Sequence, residues 1–143
     1  MKYSELIKKA CNISFNAHKQ DYDKSGYPYV YHPFFLATQF DDEETVCVAL
    51  LHDVIEDHGD IYTFDVLKKE GFNDEIIEAL KLLTHDINVP YMEYIHLVAT
   101  NPISTKVKIA DLKHNLDTTR ANGMLPRKYD LYIEALNYLE RGK

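Results

Sequence analysis

The stretch Leu50-Leu51-His52-Asp53-Val54-Ile55-Glu56-Asp57 decides how this chain is read. With Val46 and Val48 before it, the residues Leu50, Leu51, Val54 and Ile55 describe an apolar helix, yet four titratable groups interrupt it. Positions 53, 56 and 57 stand at i, i+3 and i+4, so three carboxylates share one helical face. Like charges at that spacing repel by roughly a few tenths of a kcal/mol per exposed pair, and by more when partly buried. His52 points about 100° away from Asp53 but can still converge on the same point. A cation would remove the conflict.

Outward from this stretch the helical period continues. Ser4 can cap a first helix whose stripe is Ile7, Cys11, Ser14/Phe15 and His18. That helix runs out before the turn cluster Ser25-Gly26-Tyr27-Pro28, and Tyr29 to His32 reads as short and extended. Pro33 suits the first turn of a second helix, and a third carries Glu44 to Val54. Thr63 caps a short helix that stops at Gly71, Asn73 opens the next, and Pro90 begins another through Ala99. Asn101-Pro102 starts a long helix to about Thr119, and Gly123 and Pro126 separate it from a last one with the stripe Tyr129, Ile133, Leu136 and Leu139. No alternating strand and no repeat stand out. The expected fold is an all-α, compact bundle of seven or eight helices.

The whole chain bounds the function further. Its 143 residues suit one domain, taken as residues 1–143, at about 150 residues per domain. The 45% hydrophobic and 27% charged content excludes disordered and fibrous classes. The longest apolar run, Val46 to Leu51, is far short of the roughly 18 residues of a membrane span. The N-terminal residues lack a signal-peptide core, so a cytoplasmic protein is expected. Cys11 and Cys47 lie in apolar helical patterns and read as small buried hydrophobes. The net charge of −7, with no long Lys/Arg cluster, excludes binding along a nucleic-acid duplex. A small anionic ligand is compatible with it where a cation offsets the charge. The 11 tyrosines supply packing, surface and a minority of pocket residues, and Tyr-rich faces could support a homodimer.

Two further features resist a purely structural account. In Lys108-Ile109-Ala110-Asp111-Leu112-Lys113-His114-Asn115, the residues Lys108, Asp111 and Asn115 stand at i, i+3 and i+7, opposite an apolar side of Ile109, Leu112 and Leu116. In Tyr29-Val30-Tyr31-His32-Pro33, a histidine is held between aromatics and a proline. Taken singly, His32 reads as a satisfied structural histidine, Asp111 as a cap or a partner of lysine, and His18 as a hydrogen-bonded core residue. As a set, imidazoles and carboxylates suit a divalent transition metal with open positions for water or substrate.

The ordered blocks Ala17-His18, Asp23 to Pro33, Ala49 to Asp57, Leu83-Thr84 and Val107 to Asn115 resemble the HD phosphohydrolase superfamily, and within it the hydrolase half of RelA/SpoT-type alarmone enzymes. The resemblance spans about residues 4 to 120. It implies the all-α HD domain, with His32, His52, Asp53 and Asp111 as ligands of one divalent metal, usually Mn²⁺. It implies Glu56 and Asp57 as the catalytic acidic pair and Asn115 beside the nucleotide and its reacting phosphate. Lys24, Ser25 and Gly26 match the loop near the substrate base and sugar, and His18, Thr84 and Lys108 fall on pocket positions. The family reaction removes the 3′-pyrophosphate from guanosine tetra- or pentaphosphate, giving GDP or GTP and pyrophosphate. Two positions depart from the pattern: Asp23 stands where many relatives carry Arg, and Leu112 where an Arg is usual. The alternatives are an HD phosphohydrolase acting on another nucleotide or phosphoester, a non-catalytic nucleotide- or metal-binding module, and a structural bundle.

Overall fold

The computed structural model describes residues 3–117 and 127–141. Among these residues the chain forms nine helices and no strand beyond an isolated bridge between Tyr22 and Pro28. They are α1 (Glu5–His18), α2 (Tyr31–Ala37), α3 (Glu43–Leu51), α4 (Val54–His58), α5 (Phe64–Lys69), α6 (Asp74–Leu83), α7 (Tyr91–Val98), α8 (Pro102–Asn115) and α9 (Tyr129–Arg141).

Local chemistry sets most boundaries. Ser4, Asp42, Thr63, Asn73 and Asn101 all sit at N-caps, each side chain accepting from an N–H of the first turn. Gly71 closes the segment after α5 at φ +105°, a conformation that a Cβ would strain. Two expected boundaries are corrected. The expected single helix from Glu44 to Val54 ends at Leu51 and resumes at Val54. His52 Nδ1–H donates to the Ala49 carbonyl at 2.7 Å, and Asp53 occupies the N-cap position of α4 with its carboxylate turned to Tyr29 and His52 instead of the first turn. The stretch Tyr29 to His32 is not extended: Val30 is already helical (φ −59°, ψ −21°), which puts His32 in the first turn of α2. The expected extension of α8 to Thr119, and the breakers Gly123 and Pro126, lie outside the described residues.

Helix α3 forms the axis. Every residue from Thr45 to Leu51 is buried, so no face of it is left for water. It therefore packs against α1, α2, α6 and α8 at once. Ile7, Leu36, Leu50, Leu51, Ile76, Leu80, Ile95 and Leu112 are among the residues completing the core. Of the two cysteines, Cys47 is buried in α3 and Cys11 is partly buried, and both are free thiols. No helix among the described residues is long and apolar enough to cross a membrane.

Leu50 is 1% exposed at the centre of this packing. Leu50→Ala is expected to cost about 2–5 kcal/mol in urea denaturation, whereas Tyr3→Ala at an exposed site should stay within about 0.5 kcal/mol.

Candidate metal centre

Three chain segments meet at the C-terminal end of α3. His52 is its C-cap, Asp53 caps α4, His32 comes from α2 and Asp111 from α8. The rings of His32 and His52 lie 5.3 Å apart, and one donor atom from each of His32, His52 and Asp53 falls within 4.8 Å of the others. Asp111 Oδ1 stands 2.8 Å from His32 Nε2 and 3.6 Å from His52 Nε2. Its carboxylate is shared further: Lys108 Nζ donates to Oδ2 at 2.9 Å and Asn115 Nδ2 to Oδ1 at 3.1 Å.

The protonation of His52 tests whether this group suits a metal. The Ala49 carbonyl can only accept, so Nδ1 carries the proton in the hydrogen bond between them. In the neutral ring, Nε2 then presents a lone pair to Asp53 Oδ2 at 3.1 Å and Asp111 Oδ1 at 3.6 Å. That nitrogen is buried and makes no hydrogen bond. A lone pair facing two carboxylates is repulsive, so the site calls for positive charge at this point. The acid–base balance agrees. Burial opposes a charged His52, but Asp53 and Asp111 outweigh it and hold its pKa well above the ordinary value. Burial likewise works against an ionised Asp53, yet His52 and the Tyr29 hydroxyl bring its pKa down to about 2. Ionised carboxylates converging with imidazole nitrogens in this way fit a divalent cation, which would take the place of the His52 Nε2 proton.

A second layer orients these donors. His32 Nδ1 lies 2.6 Å from His114 Nδ1, and the two rings stack at 4.9 Å and 2°. With Nε2 turned to the centre, Nδ1–H can donate to His114, the arrangement that fixes a metal-binding imidazole. Phe35 stacks on the outer face of His114 at 4.3 Å. Tyr29 donates its hydroxyl to Asp53 Oδ2.

The centre opens into a cavity of about 200 Å³. His52, Asp53, Glu56, Lys108, Asp111 and Asn115 line it, and Tyr29, His85, Tyr91, Tyr94, Tyr132 and Lys128 build much of the remaining wall. Lys108 is its central cation. Burial disfavours the charge, but Asp111 raises the Lys108 pKa well above the usual value, and the ammonium sits 5.4 Å from the centre of the Tyr94 ring. Glu56 stands exposed at the mouth, where its Oε1 accepts from the His85 amide at 2.8 Å. Desolvation raises the Glu56 pKa in spite of that bond. Asp57 is pushed up to about 6 by desolvation and by the charges of Asp53 and Glu56.

Other expected site residues are placed elsewhere. Asp57 does not line the cavity, and neither do Lys24, Ser25, Gly26, His18 or Thr84. Thr84 caps α6 and returns its hydroxyl to the Leu80 carbonyl at 2.8 Å, leaving Leu83 and His85 on the wall. His18 pairs with Asp21 at 3.1 Å. The loop of Lys24 to Gly26 is folded around Asp23, whose Oδ1 accepts from the amides of Ser25 (2.9 Å) and Tyr27 (3.0 Å). Asp23 thus has a turn-forming role. Leu112, the other departure, is 1% exposed and packs into the core, with an edge on the cavity. The aromatic wall and His114 were not singled out from sequence; only the abundance of tyrosine hinted at the wall.

Two curated relatives carry the same name. A guanosine-3′,5′-bis(diphosphate) 3′-pyrophosphohydrolase of Haemophilus influenzae is 35% identical over 120 residues, covering 74% of this chain and 17% of its own length. Another from Aquifex aeolicus is 26% identical over 127 residues, covering 82% of this chain and 18% of its own. The chain thus spans less than a fifth of the length of these relatives. No family model matches. Among solved structures, that of a metazoan ortholog of SpoT that hydrolyzes ppGpp superposes with a TM-score of 0.76 at 22% identity, covering 99% of this chain and 87% of the other. The all-α fold is therefore the one this ortholog adopts. Within that class, the chain is a homologue of the RelA/SpoT-type guanosine polyphosphate enzymes.

The geometry sets an expectation for metal affinity. His114→Ala should weaken divalent-cation binding at this centre by about 10–100-fold in equilibrium dialysis, and Asp53→Ala or Asp111→Ala should abolish it.

Proposed function

We propose that the chain is a metal-dependent phosphohydrolase that removes the 3′-diphosphate from guanosine tetra- or pentaphosphate. The observation that carries this reading is the convergence of His32, His52, Asp53 and Asp111 on one another, with the last three also lining a cavity that holds Lys108 and Glu56. The names of its relatives supply the substrate class.

A divalent ion, Mn²⁺ in this reading, would be held by these four residues and would supply Lewis-acid charge and a more acidic bound water. The chain's own residues do the rest. Glu56, at the mouth and with its carboxylate fixed by the His85 amide, is placed to orient a water and take its proton. Its raised pKa moves it closer to a working base. Water adds to the 3′-linked phosphorus and gives a proton to Glu56, and the bond from that phosphorus to the 3′ oxygen breaks with its electron pair going to that oxygen. The 3′ oxygen takes up a proton, passed back from Glu56 or from solvent, so that GDP or GTP and pyrophosphate are released. Lys108 faces the charge that develops on the leaving group, with Lys128 on the same wall. Asn115, tied to Asp111, offers an amide to the phosphate. Asp57, outside the cavity lining, acts through the charge it places beside Asp53 and Glu56.

A second reading, hydrolysis of another nucleotide or phosphoester by the same centre, is favoured by one observation. The loop from Lys24 to Gly26, which should meet a guanine base and sugar, is off the cavity lining, and Asp23 is engaged in its turn. A panel of nucleotides with Mn²⁺, with and without chelator, separates the two by whether pyrophosphate or phosphate is released. Release of pyrophosphate from guanosine tetraphosphate alone supports the first reading, and turnover confined to other nucleotides supports the second. Glu56→Gln should retain the metal and slow single-turnover hydrolysis by roughly 10²-fold or more. A wild-type rate in that variant would remove Glu56 from its proposed role.

A further inference from the structure

A second group of donors lies outside the cavity. His18 is the last residue of α1, Asp21 follows in the loop, and His58 ends α4. Asp21 Oδ2 stands 3.1 Å from His18 Nδ1 and 2.6 Å from His58 Nε2. One donor atom from each of the three falls within 4.8 Å of the others. We propose that His18, Asp21 and His58 form a second divalent-cation site, of the two-imidazole, one-carboxylate kind that zinc takes.

Ion chemistry supports the assignment. A tetrahedral ion with bonds of ~2.0–2.2 Å needs donors roughly 3.3 Å apart, a spacing these atoms reach with small side-chain shifts. The donor set is borderline nitrogen and oxygen, which suits Zn²⁺ better than Ca²⁺ or Mg²⁺. Burial holds the His18 pKa below its ordinary value against the opposing pull of Asp21 and Asp53, so the ring is neutral and keeps a lone pair. It sits at the C-terminal end of a 14-residue helix, where the backbone dipole favours a cation. The hydrogen bonds from His58 and His18 keep the Asp21 carboxyl below its ordinary pKa range, so it is ionised and ready to ligate. Access is one-sided: the His18 side chain is fully buried, whereas those of Asp21 and His58 are 33% and 25% exposed. An ion can enter from that side, and water can complete its coordination.

The site is chemically separate from the first centre but physically adjoins it. Tyr29 packs its ring on His18 at 4.8 Å and donates its hydroxyl to Asp53. An ion here would clip the ends of α1 and α4 to the loop that leads to Tyr29.

The test is a Zn²⁺ titration of the metal-free full chain by calorimetry, with bound metal counted after gel filtration and folding checked by circular dichroism. Wild type is expected to bind two equivalents. His58→Gln, which keeps an amide donor for Asp21 and so preserves the local hydrogen bond, is expected to bind one, as is Asp53→Ala. The double variant should bind none. The proposal is overturned if wild type binds a single equivalent that Asp53→Ala removes and His58→Gln leaves intact, or if folded His58→Gln still binds two. A single equivalent lost in His58→Gln and kept in Asp53→Ala would uphold this site while removing the metal from the first centre.

Discussion

A helix that is apolar on every side has to be enclosed, and α3 imposes that condition on this chain. Its burial from Thr45 to Leu51 leaves water no face, so other helices must be packed around it for it to exist at all. The enclosure also fixes where the chemistry sits. Helix α3 stops at Leu51, and the next residue satisfies a helix-end carbonyl with its own Nδ1–H. The tautomer of His52 is thus a by-product of helix termination. The core decides which nitrogen faces the centre.

Placing ionised carboxylates in such surroundings is costly unless opposite charge is supplied. Asp111 is 6% exposed, and Lys108, Asn115 and two imidazoles compensate it. Asp53 has Tyr29 and His52. Lys108 balances one of the two negative charges, and positive charge at the Nε2 side of His52, from a proton or from a bound cation, balances the other. A bundle selected only for stability would do better with apolar residues of similar volume at these positions. The presence of this set is itself a functional signal.

How much of this was legible in the sequence follows from the range of the forces involved. Caps and stops are local, so Ser4, Thr63, Gly71, Asn73 and Asn101-Pro102 announced their helices directly. The charged insertion at His52 to Asp57 was legible because it broke an apolar pattern. Less visible was the break at His52–Asp53, since both residues keep helical backbone angles and only hydrogen bonding ends the helix. This break accounts for nine helices where seven or eight were expected. His114 was hidden for a different reason: its role depends on stacking between Phe35 and His32, 79 and 82 positions away. Likewise the cavity wall draws on α7, α8 and α9, and no short-range pattern joins Tyr91 to Tyr132. The loop from Lys24 to Gly26 matched by sequence, yet the structure keeps it off the cavity lining because the Asp23 carboxylate folds it on itself.

The contact between Glu56 and the His85 amide ties together two things that enzymes often vary separately. His85 also stacks its ring on Tyr94 at 4.5 Å, so one residue holds an acidic side chain with its backbone and an aromatic wall with its ring. Insertions or deletions between α6 and α7 would therefore reshape the binding surface and re-aim the carboxylate in a single step. Lineages diverging in ligand preference should find that segment hard to remodel, and variation should accumulate first on the far wall, around Lys128 and Tyr132.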